Sequence, residues 1–247
     1  MNRQKRFSDA EYDAVECSVS HQSLFDCLTK DEINMLDEFK SCLTFKKSQQ
    51  IFNEGNYPLG IYCIDRGKVK LSHSGEDGKM QIVRLATAGN IIGYRALFCN
   101  EKYNASAIAL DDTSVCFIPK DVFMKVLSLN TQLAQNFIRL LATDLRKAED
   151  HMTELAQRPV RERMAKALIA LRDLYGLVKD ETTINVALSR EEIADIVGTA
   201  TETTIRLLAE LKNEGIISFS GKKISIENMA ALEKIAHCYQ PSYQYSR

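Results

Sequence analysis

No apolar run in the 247-residue chain approaches the roughly 20 residues that carry a helix across a bilayer, so no membrane partner is expected. Charge of one sign is also missing. The net charge is −1, which excludes a strong bulk attraction for nucleic acid or acidic lipid. The four His include no H-x-x-x-H pair, no nucleophile is paired with a base, and no phosphate-binding loop is present. These absences predict that the protein is not an enzyme. A secretory leader is lacking, and the seven Cys suit a reducing compartment, so a cytoplasmic location is expected. What remains is 45% apolar residues, enough for a substantial core and for two domains.

The most informative stretch runs from Leu188 to Ile226, LSREEIADIVGTATETTIRLLAELKNEGIISFSGKKISI. Ser189 with Glu192 forms a capping box, and Ile193, Ile196 and Val197 make the buried stripe of the short helix that follows. Gly198 supplies the turn. A second helix begins near Thr201. At about 100° per residue it places Leu207, Leu208 and Leu211 on one face and Glu202, Ile205, Arg206 and Ala209 on the other. A solvated face would carry Lys and Glu, yet this one carries a carboxylate, a β-branched apolar residue and a guanidinium. That set suits a major groove: Arg bonds guanine bidentately, Glu accepts from cytosine, and Ile touches a thymine methyl. Beyond Gly215, alternation around Ser220-Gly221 predicts a hairpin wing that carries Lys222 and Lys223 towards a phosphate backbone.

Residues 201–208, TETTIRLL, resemble the recognition helix of the CRP/FNR family of bacterial transcription factors, whose pattern is E-[ST]-x-x-R followed by apolar residues. The resemblance implies a helix-turn-helix that docks as such motifs do. Glu202 and Arg206 then read a C·G step in each half-site, Thr201 and Ile205 tune neighbouring positions, and Ser189, Arg190 and Thr203 contact phosphates. A second match lies upstream. Ile51-Phe52-Asn53-Glu54-Gly55, followed by IYCIDRGKVKL at 61–71, resembles the family's β-roll signature, in keeping with short alternating strands punctuated by glycine from Leu43 to Pro119.

In cyclic-nucleotide-binding members, a Glu takes the ribose and an Arg-Ser pair takes the cyclic phosphate. The matching positions here are Tyr94, Asn104 and Ala105, with Gly93 and Arg95 beside them. The charge-assisted contacts are lost, so cyclic AMP is not expected as the ligand, and the cofactor is unknown. FNR-type members also place cluster-ligating cysteines near the N-terminus. Cys17-Ser18-Val19-Ser20 looks like a remnant of that segment, Cys27 follows ten residues later, and Cys116 in TSVCFIP matches the distal ligand. Four thiolates would require Cys42, Cys63 or Cys99 as well, so no iron–sulfur cluster is expected.

Residues 121–155 contain neither Gly nor Pro and carry an apolar stripe of Leu133, Phe137, Leu140, Leu141, Leu145, Ala148, Met152 and Leu155, which predicts one long helix packed against its twin. Arg158-Pro159 breaks it as a hinge. From Arg158 onward there are 13 Lys and Arg against 12 Asp and Glu, so two copies are expected to act together on DNA.

The expectation is an α+β chain: an arm at 1–22, a cyclic-nucleotide-binding-like antiparallel β-roll at 23–120, a dimerisation helix at 121–157 with Leu133, Phe137, Leu140, Leu141, Leu145 and Met152 at the interface, a winged helix-turn-helix at 158–237 and a tail at 238–247. Its expected function is a sequence-specific regulator, a homodimer on an inverted repeat of double-stranded DNA, with an unidentified small molecule or redox signal. RNA polymerase is the partner that the resemblance implies. The alternative is a ligand-binding regulatory module whose DNA reading is weak or lost.

Overall fold

The computed structural model describes residues 23–75 and 78–237. The expected arm with Cys17, and the tail, lie outside the described residues. A single 3-10 turn at Ser23–Phe25 leads to α1 (Lys30–Phe39). Thr29 caps that helix: its amide donates to Glu32 Oε2 at 2.8 Å, while the Glu32 amide donates to Thr29 Oγ1 at 3.3 Å.

The strands β1 (Ser41–Phe45), β2 (Gln50–Phe52), β3 (Gly60–Arg66), β4 (Lys68–Ser74), β5 (Met80–Thr87), β6 (Ile91–Ile92), β7 (Ser106–Ala109) and β8 (Thr113–Pro119) build two sheets, interrupted only by the short α2 (Tyr94–Cys99). Both are antiparallel and four-stranded, ordered β1-β8-β3-β6 and β2-β7-β4-β5. Ile64, Val69, Ile92 and Val115 are fully buried between them. Gly67 makes the β3–β4 turn with φ of 102°, and a Cβ there would lie 2.4 Å from Thr113 Oγ1. Both conformation and space therefore demand glycine at this point of the signature.

The stretch expected to be one helix is two, α3 (Lys120–Leu129) and α4 (Thr131–Gln157). Asn130 breaks it. Its side chain accepts from the Leu133 amide at 2.9 Å, and its amide group donates to Glu32 Oε2 at 2.9 Å and to the Cys27 carbonyl at 3.2 Å. Asparagine competes with the helical backbone locally, and here the roll offers it distant partners as well.

The break turns the start of α4 onto the roll. Leu133 and Phe137 are only 0% and 2% exposed within one chain, where Phe137 meets the rings of Phe25, Tyr94, Phe98 and Phe123. They belong to the roll's outer core and not to a dimer interface, and Leu140 and Leu141 pack partly against the same cluster. Leu145 and Met152, by contrast, stand 61% and 64% exposed, and Ile138, one heptad before Leu145, is 64% exposed. The long apolar stripe serves two surfaces in succession.

After Pro159 come α5 (Val160–Tyr175), α6 (Arg190–Val197), α7 (Thr201–Asn213), the hairpin β9 (Ile217–Ser220) and β10 (Lys223–Ile226), and α8 (Met229–Ala236). They close around Met164, Leu168, Leu171, Ile193, Leu208, Leu211 and Leu232. Among the described residues, no helix is long and apolar enough to cross a membrane.

Candidate nucleic-acid interface and sensor cleft

The Ser189 amide donates to Glu192 Oε2 at 2.8 Å and the Glu192 amide donates to Ser189 Oγ at 3.1 Å, which starts α6 as a capping box. Ile193 and Val197 are buried, while Ile196 is only partly so. Gly198 ends the helix at φ 70° and ψ 53°, where the chain turns into α7.

Along α7, Leu207, Leu208 and Leu211 are buried, whereas Glu202, Ile205, Arg206 and Ala209 are exposed. Ile205 is 51% exposed, unusual for a β-branched apolar side chain on a packed helix. Thr201 and Thr203 are half-buried at the start of the helix. Thr204 is wholly buried with its hydroxyl unpaired, a cost that the helical periodicity did not reveal.

Sequence pattern alone did not point to three charged residues linked to Arg206: Glu210, Arg161 and Glu214. Arg206 Nη1 donates to Glu210 Oε1 at 2.7 Å, and Glu210 Oε2 accepts from Arg161 Nη1 at 3.4 Å. Arg161 in turn grips Glu214 at 2.6 and 2.7 Å. Glu210 lies four residues beyond Arg206 on the same helix, so the pair was legible as an i,i+4 contact; Arg161 was not, being brought in by α5.

The wing pairs Lys223 with Ser220, so its two connecting residues are Gly221 and Lys222, one position later than the expected Ser220-Gly221. Lys222 and Lys223 are both exposed at the tip. Arg190 lies over the Phe219 ring of the wing at 4.5 Å, with Lys212 on the same ring at 5.0 Å. Ser189, Arg190, Thr203, Lys222 and Lys223 all belong to the helix-turn-helix and its wing.

The roll touches this domain directly. Lys70 Nζ bonds Glu192 Oε1 at 2.7 Å and Gln81 Nε2 donates to the Asp195 carbonyl at 2.6 Å. Burial works to raise the Glu192 pKa, but Lys70 and the Ser189 amide outweigh it and hold it below the ordinary value. A lowered carboxylate stabilises the fold above its unfolded pKa of about 4.3 and ceases to do so as pH falls through the folded value. Asp195 acts in the opposite sense, its pKa raised by burial and then by Glu191, so protonation relieves a penalty. Lys70→Gln is expected to lower the thermal midpoint at neutral pH by about 2–4 °C, the shift for about 1 kcal/mol in a chain of this size. The difference from the native chain should shrink as pH falls below about 4.3. A constant difference down to pH 3 would show that the pair does not act.

Gly93, Tyr94, Arg95, Asn104 and Ala105 line one cleft in the roll with Phe52, Arg84 and Tyr103. Tyr94 is fully buried, accepts from Arg84 Nη1 at 2.8 Å and donates to Asp144 Oδ2 on α4. Burial above all, offset by the Arg84 charge and reinforced by Asp144, pushes the phenol up to about 12. The cavity is about 30 Å³, against about 300 Å³ or more for ordinary small-molecule sites. A cyclic nucleotide does not fit these residues: a phenol fixed by its own partners stands where the ribose carboxylate is needed, and an exposed amide and a methyl stand where the phosphate fork is needed. The nearby Tyr103 hydroxyl is buried without a partner.

Cys27 and Cys63, two of the described free thiols, do not suit an iron–sulfur cluster either. Burial pushes up the thiols of Cys63 and Cys27, whereas cluster ligands are thiolates, and Cys116, buried in β8 opposite Cys63, is not among the free cysteines. Among the described residues, no three Cys, His, Asp or Glu side chains converge as a metal site.

Residues 42–130 match the family model for a cyclic nucleotide-binding domain, and residues 162–235 match that for a Crp-like helix-turn-helix domain. The anaerobic regulatory protein of Pasteurella multocida strain Pm70 is 28% identical over 225 residues, covering 90% of this chain and 81% of that protein. The solved structure of FixK2 from Bradyrhizobium japonicum superposes with a TM-score of 0.70 at 27% identity, over 79% of this chain and 96% of that one.

The chain belongs to the CRP/FNR family. A CRP-family transcriptional regulator from Thermus thermophilus gives a TM-score of 0.67 at 25% identity, over 78% of this chain and 96% of that one. This CRP/FNR protein is therefore a DNA-binding transcriptional regulator of α+β fold, with a roll and a helix-turn-helix in the family's order. That favours the regulator over a ligand-binding module that has lost its DNA reading, and its relatives are regulators rather than enzymes.

Proposed function

We propose that two copies of this regulator join through the exposed stripe of α4, with Ile138, Leu145 and Met152 at intervals of seven, and bind an inverted repeat. Each α7 enters a major groove, the two about 34 Å apart. Arg206 bonds a guanine O6 and N7 while Glu202 accepts from the cytosine N4 of the same step, and Thr201 and Ile205 meet the neighbouring bases. Ser189, Arg190, Thr203, Lys222 and Lys223 hold phosphates and set the register. Dimerisation matters because the DNA-binding portion carries 13 Lys and Arg against 12 Asp and Glu, so one copy holds DNA weakly. The protein acts in the cytoplasm with RNA polymerase as its partner, as members of the family do.

The observation that carries this reading is the exposed Glu202–Ile205–Arg206 face on a helix whose opposite side is fully buried. In the sensor, Arg84 and Tyr94 link the cleft to Asp144 of α4, so a small molecule that favours one setting of this network biases the dimer helix by its differential affinity. Selection of bound duplexes from a random DNA pool tests the proposal, with protein purified without oxygen and again in air. An inverted repeat sharing a G·C step is expected, with no change on adding cyclic AMP. A difference between the two preparations would identify a redox signal, and failure to enrich any motif in either would overturn the reading.

A further inference from the structure

The hinge that the sequence marks with Arg158-Pro159 is closed by a side chain to which the sequence reading assigned no role. Arg163, in the first turn of α5, directs its guanidinium into the space between two helix ends. Its Nη1 donates to the carbonyls of Leu155 and Arg158 at 3.1 and 3.0 Å, which are the last turn and the cap of α4. On the other side, Nε donates to the Val197 carbonyl and Nη2 to the Gly198 carbonyl, both at 3.1 Å, which are the end and the cap of α6. Carbonyls at helix C-termini have no partner within the helix and carry the negative end of the dipole. A planar fork with five donors can satisfy four of them from one side chain; an ammonium on a flexible stem cannot hold the same geometry.

The joint is tight elsewhere too. A Cβ on Gly198 would come within 2.7 Å of Leu155 Cδ2, Arg158 Nη1 donates to the Ala236 carbonyl at 2.9 Å, and Lys166 pairs with Glu154. A change in the angle between α4 and the helix-turn-helix works against the two bonds from Arg163 to Leu155 and Arg158, while its bonds to Val197 and Gly198 tie the same guanidinium to the end of α6.

We propose that Arg163 is a positioning residue that sets the angle between α4 and the recognition helix, and through it the half-site spacing that the dimer accepts. The inference rests on the two-copy reading above. One base pair of spacing turns a half-site by about 35° and moves it about 3.4 Å along the duplex, so a rigid joint discriminates and a loose one does not.

The test uses the full chain and synthetic duplexes carrying the selected half-site twice as an inverted repeat, with the spacer changed by one and two base pairs in each direction. The native protein is expected to favour one spacing by about tenfold or more over its neighbours, the scale of a mismatched base pair. In Arg163→Gln the preference should collapse towards unity, with Arg163→Lys between, while discrimination against a changed G·C step within each half-site persists. That persistence shows that the recognition helix is still folded and still reads. A sharp native profile that Arg163→Gln leaves unchanged, or lowers equally at every spacing, overturns the inference alone. A flat native profile overturns the two-copy reading and the inference with it.

Discussion

Replacing Arg206 with Ala is expected to weaken binding to the selected operator by about 1–3 kcal/mol, roughly 5–150-fold, and to abolish preference at a single base pair. The side chain is 65% exposed and half-ordered in advance, since Nη1 already sits on Glu210 one turn along the helix. That contact costs little to exchange: exposed i,i+4 pairs contribute only about 0.3–0.5 kcal/mol, well below a bidentate guanine bond. Arg206→Ala also leaves Glu210 with Arg161 as its remaining cation, so the fold should be spared. Lys222→Ala should behave differently, weakening all duplexes alike and reducing the salt slope by about 1, because a wing-tip ammonium neutralises phosphate and reads nothing. Binding isotherms on operator and random duplexes across a salt series separate the two. Equal losses on both duplexes from Arg206→Ala would mean that α7 does not read bases.

The two halves of α4 should fail in different ways when cut. Phe137→Ala removes a 2%-exposed ring that touches four other aromatic rings, and is expected to cost about 3–5 kcal/mol of stability through lost burial and the cavity left behind. Leu145→Asp, at a residue 61% exposed in one chain, should leave the thermal unfolding of the isolated chain nearly unchanged while placing two carboxylates across a paired seam. The expected result is a monomer by light scattering, with operator affinity down at least about 100-fold because the second half-site contact is lost. A dimer that survives Leu145→Asp but falls apart, still folded, with Phe137→Ala would place the interface on the first half of α4, at Leu133 and Phe137.

That contrast marks where sequence reasoning works on this chain. The periodicity of α7 and the glycines of the roll were legible because each reports a local requirement. Leu207, Leu208 and Leu211 share a face by helical geometry, and Gly67 takes a φ of 102° that other residues avoid. Period alone cannot say which neighbour a buried face meets. Leu133, Phe137, Leu145 and Met152 form one stripe in sequence, yet Asn130 finds Glu32 and Cys27 across the fold and tips the first two into the roll.

The family, the α+β architecture and the exposed E-x-x-x-R face of α7 were thus determined by the sequence itself, since they follow from spacing, capping and turn chemistry within a few residues of each other. Only the tertiary structure decided which half of α4 is core, that Tyr94 is locked to Arg84 and Asp144, and that Arg163 gathers four carbonyls from two helix ends. Those outcomes depend on partners that lie up to 60 positions apart in the chain for the tyrosine network and 35 for the arginine. No local pattern encodes such pairings; packing the elements together creates them.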